Sequence, residues 1–305
     1  MRLRDKLVLK FWDRSGQLTI KNELYRNYVK NLSGFLLKTD IGKGDMTTSS
    51  LTKKEEIIVV IKAKEKGIVA GLEEFSLING DLELEFLKKD GERIDYGTRL
   101  LKIKGDAKKI LERERAWLNM LQRMSGIATN ANELNKRLKN TRLAATRKTF
   151  WGLMDKKAVS VGHGLTHRLG LDDGILIKDN HLKIQDDDIS GMLDSIKSKS
   201  RLIEIEVEKM DQSIKAAKAI GKMIKDGKKI SSLFAMMLDK IPPNEIRRII
   251  GTIKELGLYE KILFEASGNI NEKNLEEYSG CGADIISMGS LTNSARALNM
   301  SLDIE

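Results

Sequence analysis

From about residue 143 onward, short apolar segments alternate with helical ones, and this alternation is the strongest constraint on the fold. The apolar segments are GILIK, RLIEIEVE, LFAMMLDK, KILFEAS and ADIISMG, and stretches such as MDQSIKAAKAIGKMI and PPNEIRRIIGTIKEL between them have helical periodicity. Strands that alternate with helices pair in parallel, because each helix carries the chain back across the sheet. The alternation therefore predicts a parallel sheet, either open or closed into a barrel.

Residues from about 20 to 125 have a different order of sequence patterns, namely a helix, then strands, then a helix. This order predicts a separate region that contains both helices and strands. KNELYRNYVKNLSGFLLKTD has helical spacing, EIIVVIKAKEKGIVAG is predicted to be a strand pair that bends near Gly67, and DLELEFL alternates like a half-buried strand. ILERERAWLNMLQRMSGIATNANELNKRLK is predicted to form one or two helices, broken near Gly126. The chain is therefore expected to consist of two regions.

Polar or glycine residues follow nearly every predicted strand of the second region. They are Lys178 and Asp179, Glu206 and Glu208, Asp239, Ser267 and Gly268, and Gly289 and Ser290. Ligands of parallel α/β folds bind at the carboxyl ends of the strands, which share one edge of the sheet. We therefore expect these side chains to meet around one site.

The chain has only three histidines, and His163, His167 and His181 lie close together in the sequence. Such a group could form a metal site or part of an anion pocket, or it could have no shared role. His163 and His167 have helical spacing, but Gly162 and Gly164 disfavour a helix there. A preformed two-histidine metal site is therefore not favoured, and the glycines indicate a close approach of the backbone to a ligand or a strand.

Arg147, Lys148, Arg168 and Lys178 lie in the same part of the sequence. Cations that converge inside a fold need an anion, because buried like charges are otherwise costly. Arginine suits a carboxylate through paired hydrogen bonds, and lysine suits a phosphate as a point charge. Pairing with nearby aspartates is the alternative for some of these cations.

Acidic residues in two predicted strands suggest a metal site. IEIEVE places Glu204, Glu206 and Glu208 on one face of a strand, which is unfavourable in a buried strand without a cation and harmless in an exposed edge strand. Asp239 ends another apolar strand. A carboxylate from each of two strand ends, together with phosphate oxygens, is a common arrangement around Mg²⁺.

Two glycine-containing loops follow the last two predicted strands. ASGNI contains Gly268, and SMGSLTNSA contains Gly289. Backbone N–H groups in such loops can bind a phosphate, and in βα barrels the phosphate often lies after the last strands. The residues alone therefore predict a pocket for a polyanion with Mg²⁺, without naming a reaction.

Composition narrows the function classes. The formal charge is +10, but lysine and glutamate are interspersed and the chain has no basic arm, which favours a solvated surface over nucleic-acid binding. The single cysteine, Cys281, excludes an internal disulfide framework and a Cys-rich zinc site. The single cysteine also suits a reducing cytoplasm, where we expect this protein. No apolar run approaches the ~18–20 residues that span a bilayer.

An ordered set of motifs resembles quinolinate phosphoribosyltransferase, the carboxylating nicotinate-nucleotide diphosphorylase. The motifs are TDIGKGDMTT, ERAWLNMLQRMSGIAT, ATRKT, THRLGLDDGILIKDNH, IEIEVE, MLD, EASGNI and ADIISMGSLTNSA. The resemblance covers most of the chain. It implies an N-terminal α/β sandwich domain at 1–125, onto which the tail 292–305 packs back, and an incomplete, seven-stranded-type α/β barrel at 126–291.

The resemblance also implies an activity and partners. The family transfers the phosphoribosyl group of phosphoribosyl pyrophosphate to quinolinate with Mg²⁺, giving nicotinate mononucleotide, pyrophosphate and carbon dioxide in NAD biosynthesis. It implies a homodimer in which Arg115 from the partner subunit completes each active site, and it implies neither a nucleic-acid partner nor a membrane.

The resemblance assigns roles to residues of this sequence. The quinolinate-binding residues would be Arg115, Arg147, His167, Arg168 and Lys178. The catalytic residues would be Lys148, Lys178, Glu206 and Asp239, of which Glu206 and Asp239 would also hold Mg²⁺, directly or indirectly. The 5′-phosphate would lie against Ser267, Gly268, Asn269, Gly289 and Ser290.

Some positions depart from the family pattern. The three glycines before the His-Arg pair are replaced by GHG at 162–164, Thr166 stands where asparagine is usual, Lys240 replaces an asparagine after Asp239, and Asn293 replaces a histidine. These changes leave two alternatives open. One is a related phosphoribosyltransferase that acts on another aromatic acid, such as nicotinate or the acceptor of the molybdenum-associated relative. The other is a non-catalytic anion-binding member.

Overall fold

The computed structural model describes residues 3–51, 55–197, 199–228 and 232–305. The chain folds into two compact units, each built from discontinuous segments. The first unit consists of Met1–Arg14, Leu134–Arg147 and Leu165–Ser290, and the second of Ser15–Glu133, Lys148–Gly164 and Leu291–Glu305. The domain limits expected from the sequence, 1–125 and 126–291 with a tail at 292–305, stay a prediction.

The described residues form α-helices and β-strands with the following bounds. The helices are α1 (Leu3–Trp12), α2 (Glu23–Ile41), α3 (Met46–Ser49), α4 (Leu72–Phe75), α5 (Ala107–Arg137), α6 (Gly152–Val161), α7 (Asp179–Ile184), α8 (Ile189–Ser195), α9 (Met210–Lys225), α10 (Pro243–Glu255), α11 (Leu275–Tyr278) and α12 (Ser290–Asn293). The strands are β1 (Glu56–Ala63), β2 (Gly67–Ile68), β3 (Glu83–Phe86), β4 (Arg93–Ile94), β5 (Arg99–Asp106), β6 (Arg142–Ala144), β7 (Ile175–Ile177), β8 (Leu202–Val207), β9 (Leu233–Asp239), β10 (Ile262–Ser267), β11 (Ile285–Ser287) and β12 (Met300–Ile304). Among the helices of the described residues, none is long and apolar enough to cross a membrane.

The first unit contains a six-stranded parallel sheet in the order β6-β11-β10-β9-β8-β7. Leu165 forms an isolated parallel bridge with Ala144 of β6, so a seventh segment pairs with this sheet at a single residue without forming a strand. The alternation of strands and helices from residue 143 onward predicted β7 to β11, and their parallel pairing confirms the α/β fold class. Helix α10 has the expected amphipathic pattern, because Ile246, Ile249, Ile250 and Ile253 are buried at helical spacing.

Strand β8 is an interior strand, paired with β7 on one side and β9 on the other, and all six of its residues are buried. The interpretation of IEIEVE as an exposed edge strand is therefore wrong. Glu204 and Glu206 of β8 are buried and need partners inside the fold, whereas Glu208 follows the strand and is exposed.

Helix α1 covers the end of the parallel sheet at which the strands begin. Val8, Phe11 and Trp12 pack in one cluster with residues near the strand starts, such as Leu202 and Ile285. The helix is anchored by Arg4, whose Nε donates to Asp284 Oδ1 at 2.8 Å and whose Nη2 donates to the Ile262 carbonyl at 2.9 Å. The first residues of the chain therefore close one end of the sheet's core.

The second unit contains an antiparallel sheet in the order β12-β1-β5-β3 and a separate two-stranded ladder of β2 and β4. The predicted strand pair of EIIVVIKAKEKGIVAG exists as β1 and β2, but these strands pair with other partners and not with each other. The predicted helix near residue 24 is α2, and the Asn22 side chain accepts from the Tyr25 N–H at its start.

Helix α5 runs unbroken over 31 residues, so the break predicted near Gly126 is wrong. Gly126 has another role. A Cβ atom at this position would collide with the Arg296 carbonyl oxygen, which belongs to the C-terminal segment of the same unit. The glycine therefore allows a close approach of two backbones, and this packing outweighs its low helix propensity.

The second unit also buries a carboxyl group with a strongly altered acidity. Glu74 is fully buried, and Tyr25 Oη donates to its Oε1 at 2.7 Å. Burial, and after it the nearby Asp90 carboxylate, raises the pKa of Glu74 from 4.5 to about 7. Because the folded-state value is the higher one, Glu74 stabilises the fold fully below pH 4.5, and this contribution is lost as the pH rises through about 7.

We expect Glu74→Gln to remove this pH dependence, because the amide still accepts from the Tyr25 hydroxyl but does not titrate. Between about pH 5 and pH 8 the wild type should lose roughly 2–3 kcal/mol of unfolding free energy relative to the variant. Urea denaturation at both pH values measures the difference. The same substitution at the exposed Glu255 is the control, and equal pH profiles for wild type and Glu74→Gln would contradict the prediction.

Candidate active site

Side chains on one face of the parallel sheet form three levels, because alternate residues of a strand point to the same side. The amino level, which contacts α1, consists of Leu202, Ala235, Leu263 and Ile285. Two residues further along the same strands lies the middle level, Glu204, Met237, Glu265 and Ser287. Two residues further again lies the carboxyl level, Glu206, Asp239, Ser267 and Gly289. The predicted strand-end residues therefore share one edge of the sheet.

Lys178 and Glu206 form an ion pair at the carboxyl level. Lys178 directly follows β7, and its Nζ lies 2.7 Å from Glu206 Oε2. The Glu206 side chain is only 8% exposed, whereas that of Lys178 is 45% exposed. The lysine therefore supplies the cation that the buried Glu206 needs and still presents part of its ammonium group to solvent.

Asp239 also has a lysine partner, which is its neighbour Lys240. Lys240 Nζ lies 3.1 Å from Asp239 Oδ2 and 2.9 Å from Glu208 Oε1. Hydrogen bonds to Glu208 and then to Asp239 raise the pKa of Lys240. Lys240 has a positive φ of 58°, a conformation in which asparagine is less strained than most residues. The departure from the family pattern thus places an extra ammonium group beside Asp239.

The loop after β10 packs tightly against the end of β9. The Lys240 N–H donates to the Ser267 carbonyl at 2.8 Å. A Cβ at Gly268, where φ is +82°, would lie 2.5 Å from Asp239 Oδ1 and 2.6 Å from Lys240 N. Asn269 also has a positive φ and is exposed. Glycine is therefore required at position 268, and the loop keeps its backbone close to the Asp239 carboxylate.

The loop after β11 provides the second glycine-containing turn of the first unit. The Met288 N–H donates to the Ala144 carbonyl at 3.1 Å, which fixes the end of β11 beside β6. Gly289 and Ser290 follow, and Ser290 Oγ is buried without a hydrogen-bond partner among the residues that the structure describes. A buried hydroxyl without a partner is unusual and can bind a ligand oxygen.

His167 and Arg168 are buried, at 4% and 7% exposure. The Arg168 N–H donates to His167 Nδ1 at 2.7 Å, and Arg168 Nη1 donates to the Gly174 carbonyl at 3.0 Å. Burial, and after it the nearby Arg147 guanidinium, lowers the pKa of Arg168. The guanidinium groups of Arg147 and Arg168 therefore lie near enough to repel each other, and Arg147 is exposed.

Two buried acids of the middle level lie beside His167. His167 Nε2 is 3.2 Å from Glu265 Oε2 and 3.5 Å from Glu204 Oε2. Trp12 Nε1 donates to the same Glu265 oxygen at 2.7 Å. Burial, and after it the Glu265 charge, raises the pKa of Glu204. Burial also acts to raise the pKa of Glu265, but the adjacent His167, Ser287 and Trp12 together outweigh it and lower this pKa. The two acids are therefore not equivalent.

The three histidines do not share a site. His181 is exposed, and its Nδ1 accepts from the Lys178 N–H at 2.9 Å. His163 is exposed and belongs to the second unit, where its φ is +66°. Within the described part of the chain, one group has the spacing of metal ligands, His167, Glu204 and Glu265, whose ligand atoms lie within 4.8 Å of one another.

Two predicted site residues, Arg115 and Lys148, belong to the second unit. Arg115 lies on α5 and is exposed. Lys148 is exposed, and its carbonyl accepts from Thr292 Oγ1 at 2.8 Å. The loop that follows Lys148 is held by Asp155, whose Oδ2 accepts from the backbone N–H groups of Phe150 at 2.9 Å and Trp151 at 3.0 Å.

Sequence reasoning missed Trp12 and Glu265 as parts of this site. Glu265 stands in the motif EASGNI, two residues before Ser267, so strand alternation places it on the same face. That spacing is a usable signal. No local signal identifies Trp12, because its contact with Glu265 joins residues 253 positions apart.

Most of the chain matches the two domain models of one protein family. Residues 45–125 match the family model described as quinolinate phosphoribosyl transferase, N-terminal domain, and residues 127–303 match its C-terminal domain. A probable carboxylating nicotinate-nucleotide pyrophosphorylase from Methanothermobacter thermautotrophicus is 35% identical over 281 residues, covering 88% of this chain and 96% of that protein. The corresponding protein of Methanocaldococcus jannaschii is 37% identical over 298 residues, covering 92% and 99%.

Solved structures have the same fold. The nicotinate-nucleotide pyrophosphorylase from Francisella tularensis superposes with a TM-score of 0.78 at 28% identity, covering 92% of this chain and 96% of that one. The enzyme of the same name from Ehrlichia chaffeensis superposes with a TM-score of 0.75 at 30% identity, covering 90% and 98%.

We expect Gly268→Ala to weaken both the fold and any activity that uses Asp239. The added methyl group forces an alanine into a left-handed conformation, which costs roughly 1–2 kcal/mol, and displaces the Asp239 carboxylate. Gly251→Ala is the matched control, because a Cβ there has no neighbour within 4 Å. In the middle of α10 it should stabilise by up to about 1 kcal/mol. Thermal unfolding of both variants measures the contrast, and equal melting temperatures would contradict it.

Proposed function

We propose that this chain, which belongs to the quinolinate phosphoribosyl transferase family, transfers a phosphoribosyl group from phosphoribosyl pyrophosphate to quinolinate. The products are nicotinate mononucleotide, pyrophosphate and carbon dioxide, a step of NAD biosynthesis. The observation that carries the proposal is the convergence of Arg147 and Arg168 in the unit whose carboxyl level bears Glu206 and Asp239. A site that combines guanidinium groups with strand-end acids suits an acidic acceptor and a phosphorylated donor.

The two arginines suit an acceptor that carries carboxylate groups. Two guanidinium groups that lie close together repel each other, so both gain from an anion between them. Quinolinate carries two neighbouring carboxylates, and Arg147 and Arg168 can each donate paired hydrogen bonds to one. His167 and Lys178 complete this set, and we propose that Arg115 is supplied by the partner subunit of a homodimer. The exposure of Arg115 is consistent with that role.

The acidic residues and the lysines suit the ribose and the pyrophosphate of the donor. Departure of pyrophosphate leaves positive charge at the ribose C1 atom, which Glu206 and Asp239 can stabilise electrostatically. Lys148 and Lys178 can stabilise the departing phosphate oxygens. The quinolinate ring nitrogen is the nucleophile, so no protein nucleophile is required. Ser267, Gly268, Asn269, Gly289 and Ser290 are proposed to bind the 5′-phosphate through backbone N–H groups and the buried Ser290 hydroxyl.

Magnesium fits the carboxylates of the carboxyl level. Glu206 and Asp239 end neighbouring strands, and Mg²⁺ is usually held by one or two carboxylates together with substrate phosphates. When bound there it would neutralise charge on the pyrophosphate. Both carboxylates have lysine partners, so the ammonium groups of Lys178 and Lys240 compete for the same oxygens.

We expect the purified protein to make nicotinate mononucleotide and one equivalent of carbon dioxide from quinolinate, phosphoribosyl pyrophosphate and Mg²⁺. Arg147→Ala should lower kcat/KM for quinolinate by about a hundredfold, because two charged hydrogen bonds are lost. Arg248→Ala, which removes an exposed arginine of α10, is the control and should change kcat/KM less than twofold.

The same assay with nicotinate tests the alternative acceptor. Turnover of nicotinate at a rate equal to that of quinolinate would show that the pocket serves a different aromatic acid. Absence of turnover with both acids, in a folded protein, would favour a non-catalytic anion-binding role and contradict the proposal.

We expect Lys240→Asn to lower the Mg²⁺ concentration needed for half-maximal activity by about two- to fivefold. The substitution removes an ammonium group that competes for the Asp239 carboxylate, and exposed ion pairs contribute up to about 1 kcal/mol. Lys228→Asn is the control, because Lys228 forms a similar exposed pair with Asp194 away from the carboxyl level. A magnesium titration of initial rates measures the shift, and an unchanged midpoint would contradict the competition.

A further inference from the structure

We propose that the end of helix α1, through Trp12, is a positioning element for His167 and Arg168, and that Glu265 is the group that joins them. The inference rests on the proposed binding of the acceptor by Arg168. Trp12 precedes residues 45–303, which the two family models match. The residues that the models match therefore do not include this tryptophan.

Trp12 binds the His167 segment through both its side chain and its backbone. Its indole N–H donates to Glu265 Oε2 at 2.7 Å, and the same oxygen lies 3.2 Å from His167 Nε2. Its carbonyl accepts from the His167 N–H at 2.9 Å and from Thr166 Oγ1 at 3.1 Å. One residue of α1 thus contacts the His167 ring, through Glu265, and the His167 backbone directly.

The backbone of His167 needs such support. Its φ is +56°, a left-handed conformation that costs a non-glycine residue about 1–2 kcal/mol. The Arg14 N–H donates to Thr166 Oγ1 at 2.8 Å, so Thr166 is also held by the residues after α1. Threonine at position 166, a departure from the family pattern, therefore belongs to the same hydrogen-bond network.

The orientation of the His167 ring in turn restricts the backbone of Arg168. Because His167 Nδ1 accepts from the Arg168 N–H at 2.7 Å, the ring proton is on Nε2 and faces Glu265. The orientation of the ring thus fixes the Arg168 backbone, and Arg168 Nη1 is held by the Gly174 carbonyl. Loss of the Trp12 N–H should leave Glu265 and the imidazole free to move.

Other contacts keep α1 in place when the indole N–H is removed. Arg4 binds Asp284, and Arg201 Nη1 donates to the Phe11 carbonyl at 2.8 Å. Phe11 and Val8 remain buried against the amino level. Trp12→Phe therefore tests positioning with the helix still docked.

Trp117→Phe is a matched control for Trp12→Phe. Trp117 is also fully buried, but its Nε1 has no hydrogen-bond partner among the described residues. Both substitutions remove the same atoms from a buried site, and only one removes a hydrogen bond. We expect Trp12→Phe to raise KM for quinolinate about tenfold with kcat changed less than about threefold. Trp117→Phe should change both constants less than about twofold.

A readout without substrate separates this proposal from the proposed function. The chain has three histidines, so the imidazole ¹⁵N signals can be assigned by replacing the exposed His163 and His181 with glutamine. We expect His167 to carry its proton on Nε2 in the wild type, and its signals to shift in Trp12→Phe but not in Trp117→Phe. If no nicotinate mononucleotide forms, the proposed function fails while these spectra still decide the positioning role.

Four results would overturn the proposal. The first is an equal change in KM for the two tryptophan variants, and the second is a His167 proton on Nδ1. The third is one equivalent of a transition metal bound in the purified protein and lost on Glu265→Gln, because the His167 group would then be a metal site. Unchanged His167 signals in Trp12→Phe would also contradict it.

Discussion

Acidic side chains inside the parallel sheet are the constraint on which the rest of the first unit depends. Alternation places acids at two successive levels, and a buried carboxylate is tolerated only with a proton, a cation or N–H donors. Each level meets this demand differently. Glu206 and Asp239 pair with lysines at the carboxyl level, whereas Glu265 takes N–H donors from Trp12 and His167 at the middle level. The amino level is apolar and is sealed by α1.

The two ends of the parallel sheet therefore differ in the kind of side chains that they carry. The end where the strands finish carries ion pairs between largely buried carboxylates and exposed lysines. The end where the strands begin is apolar and packed against α1, and close packing restricts the conformations of its side chains. The middle level connects this apolar end to Arg168. Glu265, which binds Trp12, holds the His167 ring, and the His167 ring accepts a hydrogen bond from the Arg168 N–H. The proposed site would therefore be pre-organised on the side that faces α1.

Much of this could be predicted from the sequence, because the relevant signals are local. The apolar segments from GILIK to ADIISMG predicted β7 to β11, and the residues that follow them predicted the carboxyl level. What could not be predicted depends on residues distant in the sequence. Gly126 looks like a helix break until Arg296 is placed against it. IEIEVE looks like an edge strand until Lys178 and the flanking strands supply its partners. Trp12 gives no local sign of its contact with Glu265.

The discontinuity of the two units has a consequence for how the chain folds during synthesis. The first unit needs both α1, which is made before the strands, and a parallel sheet that is complete only when β11 has been made. The second unit needs β12, near residue 300, as the neighbour of β1. Neither unit can therefore mature while the ribosome is still making the middle of the chain. Until their partners are made, helix α1 and strand β1 have apolar surface exposed. During this time chaperones or early partial structure protect nascent proteins from aggregation.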